Sequence, residues 1–135
     1  MNSKTISNLS LLTGRAMLSA MFIGAGFSKI GAYTGTQAYM ESVGVPGLLL
    51  PAVIALEIVA GLAILAGFQT KTAALLLAGF TLVTAVIFHR NFSQQMQTIL
   101  FTKNIAITGA FLLLYAQGAG DWSLDLGSRA RRAAA

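Results

Sequence analysis

Four long apolar stretches occupy most of this sequence and limit what it can fold into. A hydrocarbon core of about 30 Å needs about 20 helical residues to cross it. Stretches that meet this requirement cover residues 9–30, 48–68, 72–89 and 98–117. Apolar residues make up 56% of the 135-residue chain and charged residues only 10%, too few to cover a water-exposed surface. We therefore predict an all-α integral membrane protein, a single domain whose four helices pack up-down-up-down as a bundle.

The connecting segments are consistent with this arrangement. Residues 31–47 contain several glycines and two tyrosines and predict a loop, with one short interfacial helix over residues 36–43. Residues 69–71 (QTK) form so tight a turn that the second and third spans must be antiparallel neighbours. Residues 90–97 form a polar loop. Arg15 interrupts the first apolar run, which argues against a cleaved signal peptide.

Basic residues predict the orientation of the bundle. Six of them lie on the side that holds both ends of the chain and the tight turn, namely Lys4, Arg15, Lys71, Arg129, Arg131 and Arg132. Three lie on the other side, namely Lys29, Arg90 and Lys103. The positive-inside rule then places both termini in the cytoplasm. Only the tail clusters its basic residues, so the net charge of +5 predicts contact with the lipid bilayer and no nucleic-acid partner.

The residue types that are missing exclude several kinds of redox centre. The chain has no cysteine, which rules out dithiol chemistry, thiolate ligation of an iron–sulfur cluster and disulfides. It has one histidine, His89, so a bis-histidine haem or a multi-histidine metal site cannot form within one chain. We therefore predict no metal and no covalently bound cofactor.

Ionisable residues inside the spans are the candidates for function. A charge at the centre of a membrane helix costs roughly 2.5 to 3.5 kcal/mol. Glu57 lies near the middle of the second span and is too short to reach the headgroups, so it must be protonated, paired or facing a polar cavity. Arg15 and Lys103 also lie within spans. Lys29 and His89 lie at span ends, where simple contact with the interface is equally consistent with the sequence.

Helix geometry suggests which cations flank Glu57. At about 1.5 Å per residue, Arg15 lies about 7 Å to the cytoplasmic side of its span centre and Lys103 about 7 Å to the outer side. We therefore expect Glu57 between these two cations, with Arg15 as a candidate partner. If all three face inward, the set is net positive and suits an anion or the polar head of a quinone.

Residue spacing indicates which faces point into the bundle. One face of the first span contains Arg15, Ser19, Phe22, Gly26 and Lys29, and an adjacent small-residue stripe of Ala16, Ala20, Gly24 and Ser28 predicts close helix packing. In the third span His89 shares a face with Ala85, Thr81 and Ala78, and in the second Glu57 shares one with Gly61. Asn104 adjoins Lys103.

Several motifs in this order resemble the DoxX family of small bacterial membrane proteins over nearly the whole chain. They are Arg15 in "GRAMLSAMFIGAGFSKI", which ends with Lys29, then "P…LEIVAGL" with Glu57, "FH" at Phe88–His89, "KN" at Lys103–Asn104, and "WSLD". The resemblance implies a four-helix bundle in the bacterial inner membrane. It also implies a link to membrane redox or oxidative-stress systems, because the family is named for proteins similar to a small subunit of a thiosulfate:quinone oxidoreductase.

Three functional hypotheses remain open. The first is a quinone- or small-anion-binding subunit of a membrane redox system, which would need a redox partner protein and would use quinone as its cofactor. Its candidate ligand-binding or proton-relay residues are Glu57, Arg15, Lys103, Asn104, His89 and Lys29. The second is a non-catalytic scaffold or assembly factor, and the third a small proton-coupled transporter. The sequence leaves open whether the chain is catalytic, and its small-residue stripes are compatible with a homo-oligomer.

Overall fold

The computed structural model describes residues 1–126, and every regular element in that range is helical. The elements are α1 (Ser3–Gly31), α2 (Tyr33–Ser42), a 3₁₀ turn (Gly47–Leu49), α3 (Leu50–Ala66), α4 (Thr70–Phe88) and α5 (Gln95–Gln117). Four are long and apolar enough to cross a membrane: α1, α3 together with the 3₁₀ turn, α4 and α5. The predicted all-α class and four spans are confirmed. The predicted interfacial helix is α2, which begins three residues earlier than expected.

The helices pack as two antiparallel pairs that share one core. α1 lies along α3, and α4 lies along α5. Phe22 of α1 joins the pairs, because its ring packs edge-on against Phe111 of α5 at 5.4 Å and against Phe80 of α4 at 6.5 Å between centroids. The surrounding core combines large side chains with four buried alanines, Ala60, Ala73, Ala74 and Ala78.

Two glycines allow α1 and α3 to approach closely. A methyl group on Gly26 would lie 2.5 Å from Ile58 Cγ1, and one on Gly61 would lie 2.8 Å from Ile23 Cγ1. The face of α1 that contains Gly26 is buried, as predicted. The adjacent stripe was wrongly predicted as the packing seam, because Ala20, Gly24 and Ser28 are exposed. The stripe lies on a neighbouring face of the helix, and α3 packs on the face that contains Arg15 and Gly26.

Both described terminal segments lie at the same end of the bundle. The residues after α5 fold back under the turn between α3 and α4, where the Asp125 N–H donates to the Gly67 carbonyl at 2.9 Å. Lys4 in the first turn of α1 lies 3.3 Å from the Asp121 carboxylate. We call this the terminal end, and the opposite end, covered by α2, the loop end. The assignment of the terminal end to the cytoplasm stays a prediction. The basic tail of Arg129, Arg131 and Arg132 lies outside the described residues.

Candidate functional site

Glu57 forms an ion pair with Lys29 inside the bundle. The Lys29 ammonium donates to both carboxylate oxygens, at 2.8 Å to Oε1 and 3.0 Å to Oε2. Glu57 is buried between α1 and α3, with only 3% of its surface exposed. The Lys29 side chain keeps 28% of its surface exposed. The acid is therefore enclosed, and its cation remains accessible from outside the pair.

The direction of helical side chains explains why these two residues meet. The Cα–Cβ bond of a helical residue tilts toward the N-terminus of its helix. Because α1 and α3 are antiparallel, Lys29 leans toward the terminal end and Glu57 leans toward the loop end. The two side chains therefore converge from different depths. Gly26, one turn before Lys29, packs beside Glu57, and a methyl group there would already be 3.5 Å from the Glu57 Cβ.

Arg15 is not the partner of Glu57, contrary to one sequence expectation. Its guanidinium donates to three main-chain carbonyls: Ala119 at 2.9 Å, Trp122 at 3.0 Å and Leu65 at 3.3 Å. Arg15 leans toward the terminal end and Glu57 leans toward the loop end. Their side chains therefore point away from each other, whereas those of Lys29 and Glu57 point toward each other. The side chain is only 2% exposed and fastens the segment after α5 to the end of α3.

Lys103 does not face the interior, which corrects the second expected neighbour of Glu57. It is exposed on α5, whose buried residues are Thr108, Phe111 and Leu114. Its exposure, and not its angular position on the helix, shows that Lys103 does not enter the core. The predicted net-positive set of three inward charges therefore does not form. Asn104 is half-buried and its amide donates to the Thr84 hydroxyl at 3.4 Å, which links α5 to α4.

His89 lies at the loop end of α4 and joins α4 to the beginning of α5. Its Nδ1 is 2.9 Å from Gln97 Oε1, and its ring is half-buried. The face that it shares with Ala85, Thr81 and Ala78 is buried, as predicted. Its hydrogen bond goes to Gln97, so among the six candidate residues the structure brings only Lys29 and Glu57 into contact with each other.

A second polar cluster, at the terminal end, was not predicted. Asp125 accepts from the main-chain N–H groups of Gln69 at 2.8 Å and Thr70 at 3.0 Å, and so caps the beginning of α4. Asp121 accepts from the Asn8 amide at 3.2 Å. This hydrogen bond, followed by that from Lys4, holds the pKa of Asp121 below its ordinary value. The sequence signal for this cluster is the pair of aspartates, Asp121 and Asp125, in the mostly apolar stretch "DWSLDL".

The described residues form no cluster for a metal ion. Within residues 1–126, no three histidine, cysteine, aspartate or glutamate side chains come close enough to hold one. The ionisable groups instead form two separate sets, the Lys29–Glu57 pair within the bundle and the cluster around Arg15, Asp121 and Asp125 at the terminal end.

Comparison with known proteins matches this architecture to a family of membrane proteins. Residues 10–90, which include both Lys29 and Glu57, match the DoxX family model. The chain is 50% identical over 122 residues to "Inner membrane protein YqjF" of Escherichia coli (strain K12), covering 90% of this chain and 94% of that protein. It is 41% identical over 122 residues to "Inner membrane protein YphA" of the same organism, covering 85% and 87%. No solved structure matches the chain.

Proposed function

Because this chain belongs to the DoxX family and is a multi-pass protein of the bacterial inner membrane, we propose that its intramembrane ion pair is a ligand site. The ligand is the polar head of a quinone or a small anion, and the chain acts as the binding subunit of a membrane redox system. The observation that carries the proposal is the contact of Lys29 with a nearly fully buried Glu57. Ionisable residues within membrane spans are costly and commonly mark ligand or proton pathways.

The geometry of the pair leaves a donor available for a ligand. An ammonium has three N–H groups, and Lys29 directs two hydrogen bonds at the carboxylate of Glu57. The third N–H and the exposed part of Lys29 can hold a quinone carbonyl oxygen or an oxyanion. Glu57 fixes the position of the ammonium, so the donor is pre-oriented before a ligand arrives.

The pair can also supply a proton, but the described residues offer no electron carrier. Reduction of a quinone to a quinol consumes two electrons and two protons. Lys29 can pass a proton to the reduced oxygen and regain one from solvent through its exposed side. The electrons would come from a redox partner protein, since the chain has no cysteine and one histidine. The chain is then a binding and proton-handling subunit.

A titration with matched variants tests this proposal. The purified protein in nanodiscs is titrated with short-chain ubiquinone and menaquinone analogues and, separately, with thiosulfate. We expect saturable binding that weakens at least tenfold in Lys29→Met and Glu57→Gln. Lys103→Met removes the same charge from the exposed side of α5 and should bind as tightly as the unaltered chain. Absence of saturable binding, or equal affinities in Lys29→Met and Lys103→Met, would refute the proposal.

A scaffold function is the second candidate, and the completeness of the ion pair favours it. Both oxygens of Glu57 already accept hydrogen bonds from one ammonium, and Gly26 packs closely against Ile58 and the Cβ of Glu57. In this case the pair only joins α1 to α3. Glu57→Gln would then lower the thermal stability of the bundle, and none of the three ligands would bind to the unaltered protein.

A further inference from the structure

Two cavities meet at the terminal end of the bundle. One is a polar cleft of about 650 Å³ between the beginning of α1, the turn before α4 and the segment after α5. The other is an apolar groove of about 720 Å³ between α3 and α4. Phe68 and Gln69 line both cavities, so the cleft and the groove adjoin each other. A molecule with a polar head and a long apolar chain would fit across this junction.

The polar cleft contains groups that have no partner among residues 1–126. Thr70 is 1% exposed, and its hydroxyl forms no hydrogen bond with any described residue. Lys71 lines the same cleft and has no ion pair within residues 1–126. The two carboxylates in the cleft are already engaged, Asp121 by Asn8 and Lys4, and Asp125 by the first N–H groups of α4. The polar head of a bound molecule could therefore contact the Lys71 ammonium, which has no ion pair within the described residues, and the unsatisfied Thr70 hydroxyl.

The groove has the dimensions and chemistry of an acyl-chain site. It extends along α3 from Ala66 to Ala55, about 16 Å at the rise of a helix. Its walls are almost wholly apolar, with small side chains such as Ala63 and Ala73 leaving room between the helices. Leu124, from the segment after α5, lines the groove near the terminal end of the bundle. Because α3 and α4 are membrane spans, the groove faces the acyl chains of the bilayer, and a linear chain can pack against its apolar walls.

We propose that the cleft and groove bind one anionic phospholipid of the surrounding leaflet. Its phosphate lies in the cleft near Lys71 and the Thr70 hydroxyl, and one acyl chain lies in the groove. The nearby Trp122 is 46% exposed, a position that suits a tryptophan at the headgroup level. A lysine near the membrane surface favours anionic lipid by about fivefold, and this sets the expected preference.

Trp122 is the only tryptophan in the chain, and it lies in sequence between Asp121, which lines the cleft, and Leu124, which lines the groove, so its fluorescence can report on lipid close to the site. The full-length protein is placed in nanodiscs of unlabelled phosphatidylcholine that contain increasing fractions of phosphatidylglycerol brominated on its acyl chains. The same series is repeated with brominated phosphatidylcholine. We expect half-maximal quenching of Trp122 at about a fivefold lower fraction of phosphatidylglycerol. Equal quenching by the two lipids would overturn the proposal.

Matched variants separate this site from general attraction to a basic protein. Lys71→Gln should abolish the preference for phosphatidylglycerol, whereas Lys103→Gln, which removes an equal charge from α5, should keep it. Ala66→Phe fills the groove and should weaken quenching by both lipids, whereas Leu113→Phe on the exposed face of α5 should not. Equal effects within either pair would contradict the proposed location.

Two further measurements exclude other occupants. Replacing Arg129, Arg131 and Arg132 with glutamine should leave most of the preference in place, and its complete loss would assign the preference to the tail. A short-chain quinone should not reverse the quenching. Reversal at equal concentration would assign the cavity to the quinone and overturn the phospholipid proposal.

Discussion

Replacing both members of the Lys29–Glu57 pair should destabilise the bundle less than the two single replacements added together. Each single replacement leaves one polar group at the α1–α3 interface without its partner. The double variant Lys29→Met/Glu57→Gln leaves no charge there and keeps side chains of similar size. Comparing the unfolding free energies of the unaltered protein, the two single variants and the double variant therefore measures the free energy of the contact.

The structure sets the expected magnitudes. Lys29→Met leaves the enclosed carboxylate of Glu57, which must take up a proton or bear the membrane cost, so we expect a loss of about 2 to 3 kcal/mol. Glu57→Gln leaves an ammonium that is 28% exposed and two residues from the end of α1, where it can reach the headgroups. Glu57→Gln should therefore lower the free energy of unfolding by about 1 to 2 kcal/mol. With the double variant at about 1 to 2 kcal/mol, the midpoints of these ranges give a coupling free energy of about 2.5 kcal/mol.

Reversible unfolding in mixed micelles, titrated with a denaturing detergent and followed by Trp122 fluorescence and helical circular dichroism, gives the four free energies. Lys103→Met serves as the control for loss of a lysine and should stay within about 0.5 kcal/mol of the unaltered protein. If the two single losses add up to the double loss within about 0.5 kcal/mol, Lys29 and Glu57 do not interact and the proposed site is wrong.

The remaining predictions concern the two ends of the α1–α3 interface. Arg15→Lys cannot reproduce the three hydrogen bonds to carbonyls and should cost about 2 to 4 kcal/mol, seen as faster proteolysis within residues 118–126. Gly26→Ala puts a methyl group 2.5 Å from Ile58 Cγ1 and should cost about 1 to 3 kcal/mol of unfolding free energy. Gly24→Ala, whose methyl group meets no atom within 4 Å, should instead be neutral or stabilise by up to about 1 kcal/mol.

Helix number and span positions could be predicted because they depend on properties that each segment has by itself. A stretch of about 20 apolar residues is helical in a bilayer whatever its neighbours are. The buried face of α1 could also be predicted, since Arg15, Ser19 and Gly26 repeat at helical spacing among larger residues. The terminal cluster could not be predicted, because it depends on how the segment after α5 folds back.

The sequence left open which cation pairs with Glu57, and Cα depth alone favoured Arg15 and Lys103 as its neighbours. Counting residues places Arg15 and Lys103 near the depth of Glu57 and places Lys29 at the membrane edge. The lean of side chains toward each helix N-terminus reverses that ranking for α1 and α3. The prediction that Lys103 faces the bundle interior was wrong for a different reason. α5 is apolar on all sides, so its sequence does not distinguish the buried face that holds Phe111 from the exposed face.

The same lean gives the two basic residues at the α1–α3 interface, Arg15 and Lys29, different requirements. Arg15 leans toward the C-terminal end of α3. There the N–H groups of Gly67 and Phe68 donate to the carbonyls of Ile64 and Ala63. The Leu65 carbonyl has no such partner, so it can accept from the guanidinium. Arg15 therefore needs no carboxylate, because the negative end of a helix supplies acceptors. Lys29 leans instead toward the middle of α3, where the carbonyls are used within the helix. A lysine directed there needs an acid opposite it, and Glu57 supplies one. The acid in the middle of this span is thus explained by the direction in which α1 enters the bundle.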